Sequence, residues 1–418
     1  MQYAPTIPHT IMKIFITSLS LCLFGCFSFE SFACTSAIIT GKVTPDGRPL
    51  LWKHRDTGQE QNRIDFINAG TYRFLALVDS PDQQGAAWIG TNETGFSIMN
   101  TASYNIKDDD VKEMDKEGEL MYRALSICKT LEDFEYFLDT LKRPIGVEAN
   151  FGVIDAKGGA AYYEVNNHSY TKLDVNDPKI APLGYLIVTN YSYTGRFNDG
   201  MGYIRQQTAI ELFAKVAPTC AITPIWIAQE ASRSFYHSLL GIDLKKTNLL
   251  DTGTGWFIDQ DFIPRQSTSA SVIIQGVKAD EDPKMTTMWT MLGYPPTTVM
   301  VPLWVEAGAQ QPALLTSSKS SQNAQLCEWS VRLKHNCFMI ERGNGWRYFY
   351  WPRLYNNNVT GYIQRLKPIE DKIYDHFLPK IDQWRQNNKI DLNELSQSYN
   401  EVSQWIREAY GAIQSTDR

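Results

Sequence analysis

The apolar pattern changes period several times along the chain. It begins with a serine-containing apolar run, Ile14 to Phe29, preceded by Lys13 and closed by Glu30. That run is shorter than the ~20 residues a membrane span requires. Short β-branched runs follow. Thr35–Thr40 leads through Pro45-Asp46-Gly47 into Leu50–Lys53, a hairpin signal. Phe74–Val78, Ala86–Ile89 and Phe96–Thr101 read as further strands. Leu120, Ala124, Ile127, Leu131, Phe134, Leu138 and Leu141 recur at three- and four-residue steps, which predicts a helix over 118–141. Strands return at Phe151–Ile154, Ala160–Val165 and Leu186–Thr189. Helices are expected over Tyr203–Val216 and Thr223–Leu240, then strands at Ala270–Gln275, Met288–Leu292 and Thr298–Val301. Gln310–Asn323 is polar and reads as a loop. The last stretch is helical, with Asp391 capping a stripe of Leu392, Leu395, Tyr399, Val402, Ile406 and Tyr410. Strand groups flanked by helices point to one α+β layered domain.

Composition narrows the picture. At 43% hydrophobic and 12% aromatic residues, a disordered chain is excluded. A net charge of -6 gives no sign of a basic surface for nucleic acid. Lys13, the apolar run and Ser31-Phe32-Ala33 together read as a secretory signal peptide over 1–33, with small residues at the cleavage positions. The expectation is an exported protein, periplasmic or extracellular, beginning at Cys34 and without stable membrane association after cleavage. Cys22 and Cys26 leave with the leader; Cys34, Cys128, Cys220, Cys327 and Cys337 remain. An odd set in an exported chain calls for a free thiol, and Cys34 is the candidate. The other four are open between buried thiols and disulfides, with Cys327 and Cys337 near enough in sequence to pair. Neither C-x-x-C nor H-x-x-x-H occurs, so no zinc site and no cofactor is expected.

A cysteine at a free N-terminus carries its own base. Its α-amine, with an ordinary pKa of about 7.7–8.0, can take the thiol proton. The thiolate attacks an amide carbonyl to give a thioester, which water then hydrolyses. Such a site also needs donors for the oxyanion and charges that orient amine and thiol. Asparagines at strand ends suit the first need, and a cation with an aspartate on neighbouring strands suits the second.

Four segments occur in order: Cys34-Thr35-Ser36, Lys53-His54-Arg55-Asp56, Gly95-Phe96-Ser97-Ile98-Met99-Asn100 and Val188-Thr189-Asn190. This series resembles the N-terminal-nucleophile amidases of the choloylglycine hydrolase and penicillin V acylase group, and the acyl-CoA:6-aminopenicillanate acyltransferase-like family. The resemblance runs from Cys34 to about Val301. It implies a four-layer αββα sandwich over 34–365, with 366–418 as a helical C-terminal extension. It implies Cys34 as nucleophile and base, and Asp56 as the aspartate that holds the α-amine. Asn190 falls on the oxyanion asparagine and Asn100 on a second oxyanion position. Arg265, in Pro264-Arg265-Gln266-Ser267-Thr268, falls on an arginine that steadies the nucleophile. The family's arginine is replaced by Lys53, a point charge instead of a planar fork, so Lys53 and Arg55 both stand as the nucleophile-side cation.

The function so implied is hydrolysis of linear amides, with a small-molecule amide as substrate and no nucleic-acid partner. A homo-oligomer stays open. A dipeptidase or an acyltransferase of the same clan is the nearest alternative. A non-catalytic surface lipoprotein, anchored at Cys26, is the alternative from another class.

Overall fold

A computed structural model describes residues 33–82, 85–246 and 253–417. The segment expected to be a signal peptide, 1–33, lies outside the described residues apart from Ala33. Phe32–Arg418 makes one compact unit.

Two antiparallel sheets organise it. The strands are β1 (Thr35–Ile39), β2 (Leu50–Asp56), β3 (Asn62–Ile67), β4 (Phe74–Asp79), β5 (Ile89–Asn92), β6 (Ser97–Ala102), β7 (Ala149–Ile154), β8 (Ala160–Val165), β9 (Tyr170–Asp174), β10 (Tyr185–Val188), β11 (Tyr236–His237), β12 (Ile242–Asp243), β13 (Trp256–Ile258), β14 (Thr268–Gln275), β15 (Thr287–Leu292), β16 (Val301–Leu303) and β17 (Tyr348–Tyr350). The first sheet has the order β10-β1-β2-β14-β15-β16. The second is a meander, β3 through β9 in sequence order. Short ribbons β11-β12 and β13-β17 lie outside both.

The longer helices are α1 (Glu117–Ile127), α2 (Leu131–Thr140), α3 (Tyr203–Val216), α4 (Gln325–His335), α5 (Tyr362–Gln386) and α6 (Leu392–Thr416). Phe134 and Leu125 pack with Phe74, Phe96 and Tyr163, so α1 and α2 cover the outer face of the second sheet. On the first sheet, Trp52 stacks on Phe213 of α3, and Trp289 meets Tyr374 of α5 edge-on. Leu51, Met99 and Tyr162 meet between the sheets, in a cluster that also takes in the outer helices of the first sheet. The result is helix, sheet, sheet, helix, as expected. Gly152 marks the close approach of the sheets: a Cβ there would strike Met99 and lie 3.1 Å from Tyr162.

Several elements differ from their sequence pattern. The helix expected over 118–141 breaks at Cys128–Thr130, where Thr130 and Asp133 form a capping box that starts α2. The helix expected over Thr223–Leu240 stops at Ala231 and gives way to β11. β3 and β9 are added, and so is α4. The boundary placed at 366 falls inside α5. Arg233 holds α5 to the body through Glu370, at 2.6 Å from each carboxylate oxygen. Trp304 packs on both Phe377 and Trp384. The expected helical C-terminal extension is present and packs on the outer face of the first sheet. All five described cysteines are free thiols, so the Cys327–Cys337 pairing does not form.

Candidate active site

Cys34 stands at the head of β1, 6% exposed. Ala33 precedes it, so its nitrogen is a peptide amide here. Side chains alternate across a strand. Ser36 bonds Tyr162 of the second sheet at 3.0 Å, so Cys34, two residues back, also faces the space between sheets. Ser36 is paired with Lys53 in the β1–β2 register, which brings Lys53 to the same face, diagonal to Cys34.

Lys53 donates to Trp88 O at 2.8 Å and to Asn100 Oδ1 at 2.6 Å. Burial holds its pKa down at about 8, resisted by the negative charge Cys34 can carry. Arg55 is committed elsewhere. It forms a fork with Asp79, at 2.7 and 3.1 Å, bonds Asn62, and lies 4.8 Å from the Trp88 ring. Of the two cations left open by the sequence, Lys53 is the one whose ammonium is in the field of Cys34.

Lysine has donors only, so it turns the Asn100 carbonyl oxygen toward itself and fixes the orientation of that amide. Asn190 is fixed in the same way by an arginine absent from the sequence-based set. Arg205 Nη2 donates to Asn190 Oδ1 at 2.8 Å. The same oxygen accepts from Cys34 N at 2.9 Å. Asn190 Nδ2 donates to Ala102 O at 3.0 Å. The expected donor therefore meets Cys34 through its acceptor end. Arg205 Nη1 also reaches Cys34 O at 2.6 Å and Thr35 Oγ1 at 2.9 Å. Burial, with Arg265 nearby, lowers the Arg205 pKa to about 10. Gly202, at φ +84°, opens α3 and leaves room for that guanidinium, which a Cβ would strike.

Asp56 lies fully buried at the end of β2. Its Oδ1 accepts from Thr268 Oγ1 at 2.6 Å, and Arg265 pairs with Oδ2. Arg265 Nη2 also reaches Ala33 O at 3.3 Å. Burial opposes the Arg265 charge, but Asp56 outweighs it and holds the pKa above the ordinary value. The site thus gathers Cys34, Lys53, Asn100, Asn190, Asp56 and Arg265. Arg55 supports the wall behind Trp88.

Arg205, Asp79 and Thr268 were missed. Arg205 had a signal: it shares a helix stripe with Ala209 and Phe213, where a cation needs a buried partner. Glu117, in the first turn of α1, also acts on Lys53. Burial raises its pKa to about 7, while Glu148 N donates to it at 3.2 Å. His54 is pushed down to about 4 by burial, so it is neutral at pH 7. Among the described residues no cluster of metal-ligating side chains occurs, and no helix is long and apolar enough to cross a membrane.

No family model and no curated protein sequence matches the chain. Solved structures do. A conjugated bile acid hydrolase from Clostridium perfringens matches at 11% identity and TM-score 0.39, over 65% of this chain and 92% of that one. A Caenorhabditis elegans N-acylethanolamine-hydrolyzing acid amidase ortholog matches at 12% and 0.37, over 60% and 95%. Penicillin V acylase from Agrobacterium tumefaciens matches at 12% and 0.32, over 65% and 85%.

Proposed function

We propose that this chain is an exported amidohydrolase of the N-terminal-nucleophile type, in which Cys34, freed by removal of residues 1–33, cleaves a linear amide of a small molecule. One observation carries the reading. The Cys34 nitrogen sits 2.9 Å from Asn190 Oδ1, in a cluster of buried side chains that also includes Lys53, Asn100 and the Asp56–Arg265 pair. In this reading the freed α-amine takes the thiol proton, and Asn190 Oδ1, set by Arg205, aims that amine. Lys53 stabilises the thiolate. Asn100, its carbonyl end held by Lys53, offers its NH2 group to the oxyanion. Arg265, paired with Asp56, holds the junction at Ala33 before it is cut.

The direct test is a panel of acyl amides incubated with protein whose N-terminus has been sequenced. Release of the free acid, with an acyl adduct on Cys34 in quenched samples, supports the reading. Active protein that begins at any residue other than Cys34 ends it. Acyl transfer to an added amine in place of water would move the assignment to the acyltransferase.

Two results are expected within this reading. Asn100→Ala should lower kcat by ~10²–10³ with little change in KM, as loss of one oxyanion donor does. A kcat within a few-fold of the unaltered enzyme would remove Asn100 from the oxyanion site. The pH profile should be a narrow bell. The acid limb belongs to the α-amine, which must lose its proton. The alkaline limb belongs to Lys53, whose charge is lost as pH rises through about 8. Lys53→Arg does not titrate in that range, so its alkaline limb should move up by about one unit or more. An unmoved limb would show that Lys53 is not the group that titrates.

A further inference from the structure

A cavity lies at the end of the first sheet opposite Cys34. In β2, Asp56 marks the end near Cys34 and Leu50 the far end, ~20 Å away along the strand. Leu50 shares the outer face with Trp52, which stacks on α3. The cavity, of about 220 Å³, is walled there by Leu50, Ile222, Ile225, Trp289 and Ile381, with Arg385 of α5, Asp46 and Gln275 also in the wall.

Arg385 is short of partners. Its Nη2 donates to Gln275 Oε1 at 2.9 Å. Its only acidic neighbour within ion-pair distance among the described residues, Asp46, is 3.7 Å from Nη1. That carboxylate is already engaged by Arg48 at 2.9 Å and by Gln275 Nε2 at 2.8 Å. Arg48 in turn is paired with Glu281. Arg385 Nε is buried without a hydrogen-bond partner. Burial first, and Arg48 second, hold its pKa down at about 10. A buried donor left unpaired costs about 1–3 kcal/mol, more when charged. Asp382, one turn before Arg385, is exposed and also lines the cavity.

We propose that this cavity binds a small monocarboxylate with an apolar body, its carboxylate on Arg385 and its chain against Leu50, Ile222, Ile225, Trp289 and Ile381. The volume corresponds to ~seven waters at ~30 Å³ each, so the ligand has about seven to ten heavy atoms. The site stands apart from Cys34 and does not depend on the amidase reading.

The test is calorimetric titration of hexanoate into the Cys34→Ala protein, with hexanamide as the uncharged isostere. Saturable hexanoate binding is expected, with Kd on the order of 1 mM. Hexanamide and the Arg385→Met variant should each bind ~10-fold more weakly or worse. Ile222→Trp fills the cavity while keeping Arg385, and should abolish binding even if Arg385→Met fails to fold. The proposal is overturned by any of three outcomes: no saturation by ~20 mM, equal binding of hexanamide, or unchanged binding in a folded Arg385→Met or Ile222→Trp protein.

Discussion

Cys34→Ala is expected to abolish amide hydrolysis, by ~10⁴ or more in kcat, while the protein still folds. The sulfur is the one atom in the site that can form the thioester. Ala replaces one small, buried residue by another at the head of β1, where Ala33 and Ala37 are also buried. The backbone contacts of position 34, to Asn190 and Arg205, do not involve the side chain. The thermal midpoint should therefore change little. Thiol labelling gives a second reading of the same assignment. Burial raises the thiol pKa of Cys128 and Cys327 to about 12 and raises that of Cys337 as well, so these three should be inert. Cys220 is exposed and will react, so the labelling belongs in a Cys220→Ser background. There, loss of activity should follow modification of a single site. Turnover at the unaltered rate in Cys34→Ala would refute the nucleophile.

The largest effect on stability is expected at Glu370. Its carboxylate meets Arg233 through two 2.6 Å bonds and accepts from Met300 N at 2.9 Å. Arg233 also donates to Pro295 O and Thr298 O. The side chains are 7% and 1% exposed. Burial alone would depress the Arg233 pKa, but Glu370 raises it well above the ordinary value. Glu370→Leu leaves that guanidinium charged and buried without its partner, at a cost of about 3–5 kcal/mol. That is a large share of the 5–15 kcal/mol typical of a folded domain. Urea unfolding should show the loss as a lower midpoint. The double variant Arg233→Met, Glu370→Leu should regain most of it, because a buried pair and an apolar pair of similar volume are often nearly equivalent. A loss under ~1 kcal/mol in Glu370→Leu would show that water reaches the pair.

What the sequence made visible depended on how local each cause was. β8 and α3 occupy the spans their apolar pattern marked, Ala160–Val165 and Tyr203–Val216, because that pattern alone determines them. β2 runs three residues past the expected Lys53, through His54, Arg55 and Asp56, all buried. Its charges read as a strand end, but they are neutralised by Asp79 and Arg265, the latter 209 residues away. β3 was hidden for a related reason. Arg63 and Asp65 interrupt its apolar residues, yet they pair with each other on one side of the strand. The helix expected to continue to Leu240 ends near Arg233, which is drawn to Glu370, 137 residues further on. In the site, residue types at strand ends pointed to Cys34, Asp56, Asn100 and Asn190. Which end of each asparagine is engaged was set by Arg205 and Lys53, a choice that only three-dimensional neighbours make.

The two sheets also differ in how far the chain must travel to build them. The second is a meander, in which each strand meets the next. The first joins β1 to β10 and β2 to β14, with Ser36 bonded to Val188 across 152 residues and Asp56 to Thr268 across 212. Closing such long loops carries an entropic cost before any contact repays it, and pairings of this kind form slowly. Pulse-labelled amides should accordingly become protected in β4–β8 before β1, β2 and β14. The thiol lies on the late-forming side of this sequence of events. Emerging from the ribosome, Cys34 would be an ordinary cysteine. It would gain its lysine, asparagines and arginines together, only after more than half of the chain had been synthesised and drawn back to meet it.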